Sequence, residues 1–464
     1  MLRILSYDYA IIGIPVVLTA FRLAFFVSIY SLTPYSVLAD QLEAQEVQVL
    51  ATSNNLAQAT DPNGATGNEP DVTLRNVIKR VLQDNPKLRG NDIDIAILDA
   101  RREQADQRPG YEIEAELEDV FTTGRPDFVD SWQATIRLGT VLELGQKRER
   151  RTSVVIRERE RLDVLLQAQQ LDVISQAART FVEALSAQER TLLAQQQVEN
   201  YTVWASRIKE RVKAGSAGAL EESNSRLRLV QARLDRRQAE LVRQRARTIL
   251  VSYWQGHPSD MGVLLGNFYE IPPIPELSDL QRMVSQNPDL VLFMSDERIR
   301  DAEYQLTRAG STPDINVSAG VRRLQPDRSF GLVFSASIPF ATGPRNRPFE
   351  REAEGHVRRT QIDLATKRWE LESTLAEMHV RLTTAKETYA TLSELALPEA
   401  RKAVSIAEEG YERARYSFQE LSLAQEQLIQ IQYAILEAAT EYHLIFLELE
   451  RLTGQSMTSL ASSS

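Results

Sequence analysis

RYSFQELSLAQEQLIQIQYAILEAATEYHLIFLELERLTG, Arg415 to Gly454, is a helix that this sequence writes twice. From Phe418 it runs without proline or internal glycine until Thr453-Gly454 stops it. LEESNSRLRLVQARLDRRQAELVRQRARTILVSYWQG, Leu220 to Gly256, follows the same pattern and also ends on glycine, with Gly256 and Gly454 198 residues apart. Other landmarks recur in the same order. Gln83 to Leu88, QDNPKL, returns as SQNPDL, Ser285 to Leu290, and Arg108-Pro109 returns as Thr312-Pro313. LGQKRER from Leu144 returns loosely as TGPRNR from Thr342, which pairs Gly145 with Gly343. A fixed order at a nearly fixed offset is the signature of an internal duplication.

Each copy reads as a helix of about 35 residues, two alternating segments, a very long helix and then a helix of 37 residues. The first helices are expected over Val72 to Gln107 and Asp279 to Arg308. The very long ones are expected from Lys147 to near Ala214 and from Asn346, opened by Pro348, to near Ala414. At 1.5 Å per residue each very long helix reaches about 100 Å, too long for a compact domain. The two shorter helices laid end to end match that length, so each copy supplies one continuous rod and one rod made of two pieces. Ile174, Ala178, Phe181, Leu185 and Leu192 give the first long helix a coiled-coil seam, a spacing equally compatible with a helical-bundle core. Pro398 is expected to bend the last long helix.

The alternating segments are Tyr111 to Phe121, Ser131 to Gly139, Asp314 to Arg323 and Ser329 to Ile338. In the first, Ile113, Ala115 and Leu117 share a face, opposite Glu112, Glu114, Glu116 and Glu118. Period-two patterning over about ten residues suits a strand crossing an outer membrane, apolar to lipid and polar to a lumen. An ordinary two-layer sheet with one wet face fits the same pattern. Four strands cannot close a spanning sheet without leaving edges unpaired, so the membrane reading requires several copies, and a cyclic trimer would give twelve strands and twelve rods.

Composition narrows the classes. Apolar residues make up 43% of 464, enough for a packed core, and the net charge of −10 with dispersed Lys and Arg argues against a nucleic-acid partner. Cysteine is absent, which rules out thiolate metal sites, a cysteine nucleophile and a lipidated cysteine. His257, His356, His379 and His443 lack metal-site spacing, so no metal site and no cofactor is expected. No G-x-S-x-G, phosphate loop or convergent acid, base and nucleophile set is present, so catalysis is not expected. Residues 1–39 read as a signal peptide cleaved after Ala39, although Arg22 interrupts a long apolar run and an uncleaved anchor is the competing reading. Residues 40–71 read as a flexible arm, 72–256 and 279–456 as the two repeats, 257–278 as a linker and 457–464 as a tail.

NPKL and NPDL, RPGYEIEAELEDVF, LELGQKRERR, LSAQER, VKAGSAGALEESNSRL, IPFATGPRNR and GYERARYSFQELSLAQEQL with its LTG end resemble the TolC-like outer-membrane efflux proteins over about residues 70–456. Within that family the acidic first strand and LELGQKR are similar to the cobalt-zinc-cadmium cation efflux (CzcC-like) group. The resemblance implies a mainly α protomer with membrane β-structure, assembled as a homotrimer. The trimer would form an α-helical barrel crossing the periplasm and a shared 12-stranded β-barrel in outer-membrane lipid. It implies a passive exit duct for cations such as heavy-metal ions, meeting a periplasmic adaptor (membrane fusion) protein that couples it to an inner-membrane pump of the RND type. A tunnel for drugs or for type I protein secretion is the rival within the family, and a periplasmic coiled-coil adaptor the rival outside it.

The turns at Lys213 to Gly218 and Arg413 to Phe418 are then expected to be the periplasmic tips, with Lys213, Ala214, Gly215, Ser216, Arg415, Tyr416 and Ser417 meeting the adaptor. The glycine of KAGSA in the first tip is matched by Arg415 in the second. Glu221, Tyr411 and Glu420 match positions that narrow the periplasmic aperture in the family. Glu112, Glu114, Glu116 and Glu118 would line the barrel lumen and favour cations.

Overall fold

The structure, a computed structural model, describes residues 71–120, 132–325 and 327–454. The expected signal peptide with its cleavage point, the arm up to residue 70 and the tail from 457 lie outside the described residues. Strand β1 (Val72–Thr73) leads into helices α1 (Leu74–Asp84) and α2 (Asn91–Asp106), strands β2 (Tyr111–Glu118) and β3 (Gln133–Leu142), and helices α3 (Lys147–Lys213) and α4 (Ala219–Ser252). The order then repeats: β4 (Leu264–Leu265), α5 (Leu277–Val284), α6 (Pro288–Ala309), β5 (Ile315–Leu324), β6 (Ser329–Ser337), α7 (Thr342–Ala390), a π-helical turn (Thr391–Ala396), α8 (Leu397–Glu412) and α9 (Phe418–Thr453).

The 67 residues of α3 make the expected rod of about 100 Å. The opening helix of each repeat, expected unbroken, is instead cut in two at its Asn-Pro motif. A residue preceding proline is pushed out of helical geometry, and in both repeats the asparagine turns that break into a joint. Asn85 Nδ2 donates to the carbonyl of Tyr253 at 2.9 Å, and Asn287 Nδ2 donates to that of Leu452 at 2.7 Å. Those carbonyls belong to the ends of α4 and α9, where helical acceptors lack partners within the helix. Asn287 Oδ1 also accepts from the backbone of Asp289 and Leu290, capping α6. The motif read as repeat punctuation is thus the joint that stacks the two pieces of each composite rod.

The rods pack in a definite order. α3 lies between the composite rod of α1, α2 and α4 and that of α6 and α9, while the long rod of α7 and α8 packs on the far side of α6 and α9. The middle of α3 buries Val173, Ala177, Phe181, Ala184 and Leu185 against Leu250, Val251 and Trp254. In the second copy Leu371, Leu375 and Leu382 meet Tyr442, Phe446 and Leu449. Of the expected seam, Ala178, Phe181 and Leu185 are buried, but Leu192 is 52% exposed. The buried seam runs instead through Ala177, Ala184, Ala187 and Ala194, which leaves Leu192 beside it rather than in it.

Three further expectations are corrected. The 257–278 segment is no bare linker, because Met261, Leu264 and Phe268 are buried in the core and β4 pairs in parallel with β1. α7 starts at Thr342 rather than Asn346, leaving Pro348 inside the helix. Its start is pinned by Asn346 Nδ2 donating to Thr307 O at 2.7 Å and by Thr342 Oγ1 donating to Ser311 O at 2.8 Å. The caps of α3 and α7, Gln146 and Ala341, share a left-handed conformation (φ 60° and 59°), so Gly145 is matched in place by Phe340 and not by Gly343. Ahead of Pro398 the chain widens into the π-turn and stays helical, the form in which a long helix absorbs a missing donor.

The four long strands form one antiparallel sheet in the order β2-β3-β5-β6, joining both repeats and leaving β2 and β6 as edges with no further partner strand among the described residues. No helix among the described residues is long and apolar enough to cross a membrane.

Candidate functional site

The turn between α3 and α4 and the turn between α8 and α9 are built alike. In the first, Ser216 N donates to Arg211 O at 2.8 Å and Gly215 N to Val212 O at 3.0 Å; in the second, Arg415 N donates to Gly410 O at 2.7 Å and Ala414 N to Tyr411 O at 3.1 Å. This double closure requires a left-handed residue just past the helix. Gly215 (φ 72°) fills that place in one turn and Ala414 (φ 55°) in the other. The expectation that Arg415 replaces the glycine is therefore corrected: Ala414 stands where Gly215 does, and Arg415 stands where Ser216 does. Lys213, Ala214, Gly215, Ser216, Arg415, Tyr416 and Ser417 are all exposed at the ends of the rods.

Behind the turns the two hairpins lock together. Trp204, Ile208, Tyr411, Phe418 and Leu421 form a buried cluster, with the Tyr411 ring edge-on to Trp204 and Phe418 at 6.1 and 6.2 Å. Tyr411 Oη donates to Glu221 at 2.8 Å. Burial first, and then this hydrogen bond to the carboxylate, pushes the Tyr411 hydroxyl up to about 12. Arg211 holds the same tyrosine from the other side: its guanidinium donates to Tyr411 O at 3.0 Å and lies 4.5 Å from the ring centre. Arg207 stacks on Trp204 and pairs with Glu412 at 3.1 Å. Arg211, Arg207 and Trp204 escaped the sequence reading, because nothing in their spacing shows that two hairpins about 200 residues apart touch.

Glu221 and Glu420 occupy the same helical position after their turns but do different work. Glu420 accepts from Ser417 N at 2.7 Å and from Ser417 Oγ at 2.8 Å, and its own N–H donates to Ser417 Oγ at 3.3 Å, a reciprocal cap. The Ser417 backbone N–H, and then its hydroxyl, hold the exposed Glu420 carboxyl below the usual carboxylate range. The residue equivalent to Ser417 is Gly218, which has no side chain to cap with, and Glu221 is left to reach Tyr411.

At the other end of the rods the sheet has two unlike faces. Tyr111, Ile113, Ile136, Phe330, Leu332 and Phe334 are all more than 60% exposed on one face, although they are large and apolar. Strand register places Glu112, Glu114, Glu116 and Glu118 together on the opposite face, as expected. Two arginines share that face with them. Arg137 lies 3.9 Å from Glu114 and also pairs with Glu116, and Arg322 lies 3.3 Å from Glu118. Glu112 has no ion pair among the described residues. Arg137 and Arg322 could be assigned to this face only once the register with β2 and β5 was known.

The described residues contain no group of side chains arranged to hold a metal ion. His443 donates to Phe268 O at 2.9 Å, and burial lowers its pKa, so the ring serves the core as a neutral donor.

A sheet with an apolar outer face, a charged inner face and two open edges, set on rods of about 100 Å, defines the protomer of an outer-membrane channel. Residues 280–455 match the family model described as outer membrane efflux protein. Over 354 residues the chain is 25% identical to the cobalt-zinc-cadmium resistance protein CzcC of Cupriavidus metallidurans, spanning 76% of this chain and 82% of that protein. Three solved structures share the fold. A membrane protein from Pseudomonas aeruginosa matches at TM-score 0.68 and 18% identity, covering 86% of this chain and 97% of its own. The channel-forming protein CusC matches at 0.69 and 14%, covering 86% and 96%. The outer membrane protein VceC of Vibrio cholerae matches at 0.68 and 13%, covering 82% and 96%. The expected resemblance to outer-membrane efflux proteins, CzcC among them, is found in both sequence and fold. The sheet accordingly belongs to the outer membrane and the rods to the periplasm.

Proposed function

We propose that three copies of this chain close their sheets edge to edge into a twelve-stranded barrel and their rods into a periplasmic tunnel. The tunnel is a passive exit duct for cations such as heavy-metal ions, joined through an adaptor to an inner-membrane pump of the RND type, and no bond is made or broken in it. The observation that supports assembly is the open sheet: unpaired edge strands and a large exposed apolar face are tolerated in a membrane only when the sheet closes. The outer rods repeat the pattern, with Leu227, Val230 and Leu234 of α4 and Ile362, Trp369 and Val380 of α7 exposed on the two flanks of the helical layer. Heavy-metal cargo is supported by the likeness to CzcC, whose name gives cobalt, zinc and cadmium.

In this reading the exposed turn residues Lys213 to Ser216 and Arg415 to Ser417 are the adaptor contacts. Tyr411 and Glu221 hold the aperture narrow, Glu420 places a negative charge at the entrance, and Glu112 to Glu118 face the lumen. A strain lacking the protein tests the cargo: growth on cobalt, zinc or cadmium should fall while tolerance of lipophilic drugs is unchanged. Loss of drug tolerance alone would reassign the tunnel to drug efflux.

A further inference from the structure

Strand register sorts the sheet residues cleanly, with one exception. On the membrane-facing side of β2, β3, β5 and β6 every described residue is uncharged except Arg323. Its neighbour Arg322 points to the other face and pairs with Glu118, so the Arg322-Arg323 dipeptide sends one guanidinium into the lumen and one toward lipid. Arg323 is exposed and has no carboxylate partner among the described residues. It lies against two aromatic rings, 5.4 Å from the centre of Trp132 and 6.0 Å from that of Phe330, its register partner.

A charge on the lipid face is strongly unfavourable at mid-bilayer and nearly neutral at the boundary, so its position marks a depth. Phe330 begins the exposed apolar stripe of β6, which continues in the same alternation to Phe340, 90% exposed just beyond the strand. Ten residues at about 3.3 Å each, tilted about 40°, rise about 25 Å, the height of a barrel's apolar band. Arg323 therefore sits at the upper edge of that band, at the end of the sheet away from the helices, where outer-leaflet headgroups lie. Guanidinium donors match phosphate oxygens in pairs, and two flanking rings fix the plane in which those donors point.

We propose that Arg323, held between Trp132 and Phe330, seats a phosphate group of an outer-leaflet lipid headgroup. The inference rests on the outer-membrane reading above. Purified protein in detergent is titrated with diphosphoryl lipid A and with its dephosphorylated form, and bound lipid is counted by native mass spectrometry for the wild type, Arg323→Leu and Arg323→Lys. The wild type should retain the phosphorylated lipid about tenfold better than the dephosphorylated one. Arg323→Leu should lose that preference and Arg323→Lys should keep part of it. Millimolar inorganic phosphate should not displace the lipid. Equal retention by wild type and Arg323→Leu, or full displacement by inorganic phosphate, would overturn the assignment. Bilayer conductance of the same samples separates the two readings. A wild type that conducts but shows no phosphate preference sinks only the lipid seat, whereas a wild type that never inserts sinks the outer-membrane reading with it.

Discussion

Tyr411 Oη donates to Glu221 at 2.8 Å, linking two helices whose contacting residues stand 190 positions apart in the chain. The bond ties the last turn of α8 to the first turn of α4, so the two hairpins cannot separate at the tip while it persists. Tyr411→Phe should raise the single-channel current of the purified protein in planar bilayers severalfold without altering its thermal stability much. A current equal to wild type would remove the pair from the aperture. The hydroxyl must stay protonated to donate, and its raised pKa keeps it so through neutral pH. A phenol raised from its ordinary value to about 12 contributes stability that is intact below about pH 10 and lost as pH climbs through 12. The link should loosen only in that alkaline window.

Glu420 calls for a different substitution, because its carboxylate also caps α9. Glu420→Gln keeps an acceptor for Ser417 and removes the charge, so reduced cation preference with an unchanged melting temperature is expected. Its depressed pKa makes the cap fully formed above the ordinary carboxylate range and lost as pH falls through the depressed value. Unchanged ion preference in Glu420→Gln would assign the residue to capping alone.

Arg137→Gln tests the charge balance of the barrel wall. With Arg137 removed, Glu114 and Glu116 lose their guanidinium partner, and the reversal potential under a salt gradient should shift toward stronger cation selectivity. No shift would mean that these carboxylates do not face the conducting path.

The duplication, the strand alternation and the long rods were legible because each depends on periodicity or on recurrence at a fixed offset. Helix breaks, turn register and charge pairing were not, because each depends on a contact far away in sequence. Asn85 and Asn287 show the difference: the sequence marks both, but only the carbonyls of Tyr253 and Leu452 show what they bind. The second tip likewise required its backbone, since Arg415 aligns with Gly215 by eye while Ala414 takes its conformation.

Asn287→Ala should lower stability by about 2 kcal/mol, since it strips a buried acceptor of its donor and removes a helix cap. A melting temperature in detergent several degrees below wild type is expected. An unchanged value would show that the composite rod does not depend on this joint.

At the second tip, Gly410 lies under the ring of Tyr416, and any Cβ there would overlap that ring. Gly410→Ala should displace Tyr416 and weaken crosslinking to the adaptor while leaving assembly intact. Ala414→Gly should stabilise the turn by about 1 kcal/mol, because glycine adopts the left-handed conformation without steric cost. Loss of assembly in Gly410→Ala would give the turn a folding role instead.

The mass of the native, detergent-extracted protein tests the proposed architecture most directly. Three chains per particle are expected, since only closure between copies can pair the edges of β2 and β6. A particle holding a single chain, stable in detergent with those edges unpaired, would contradict it.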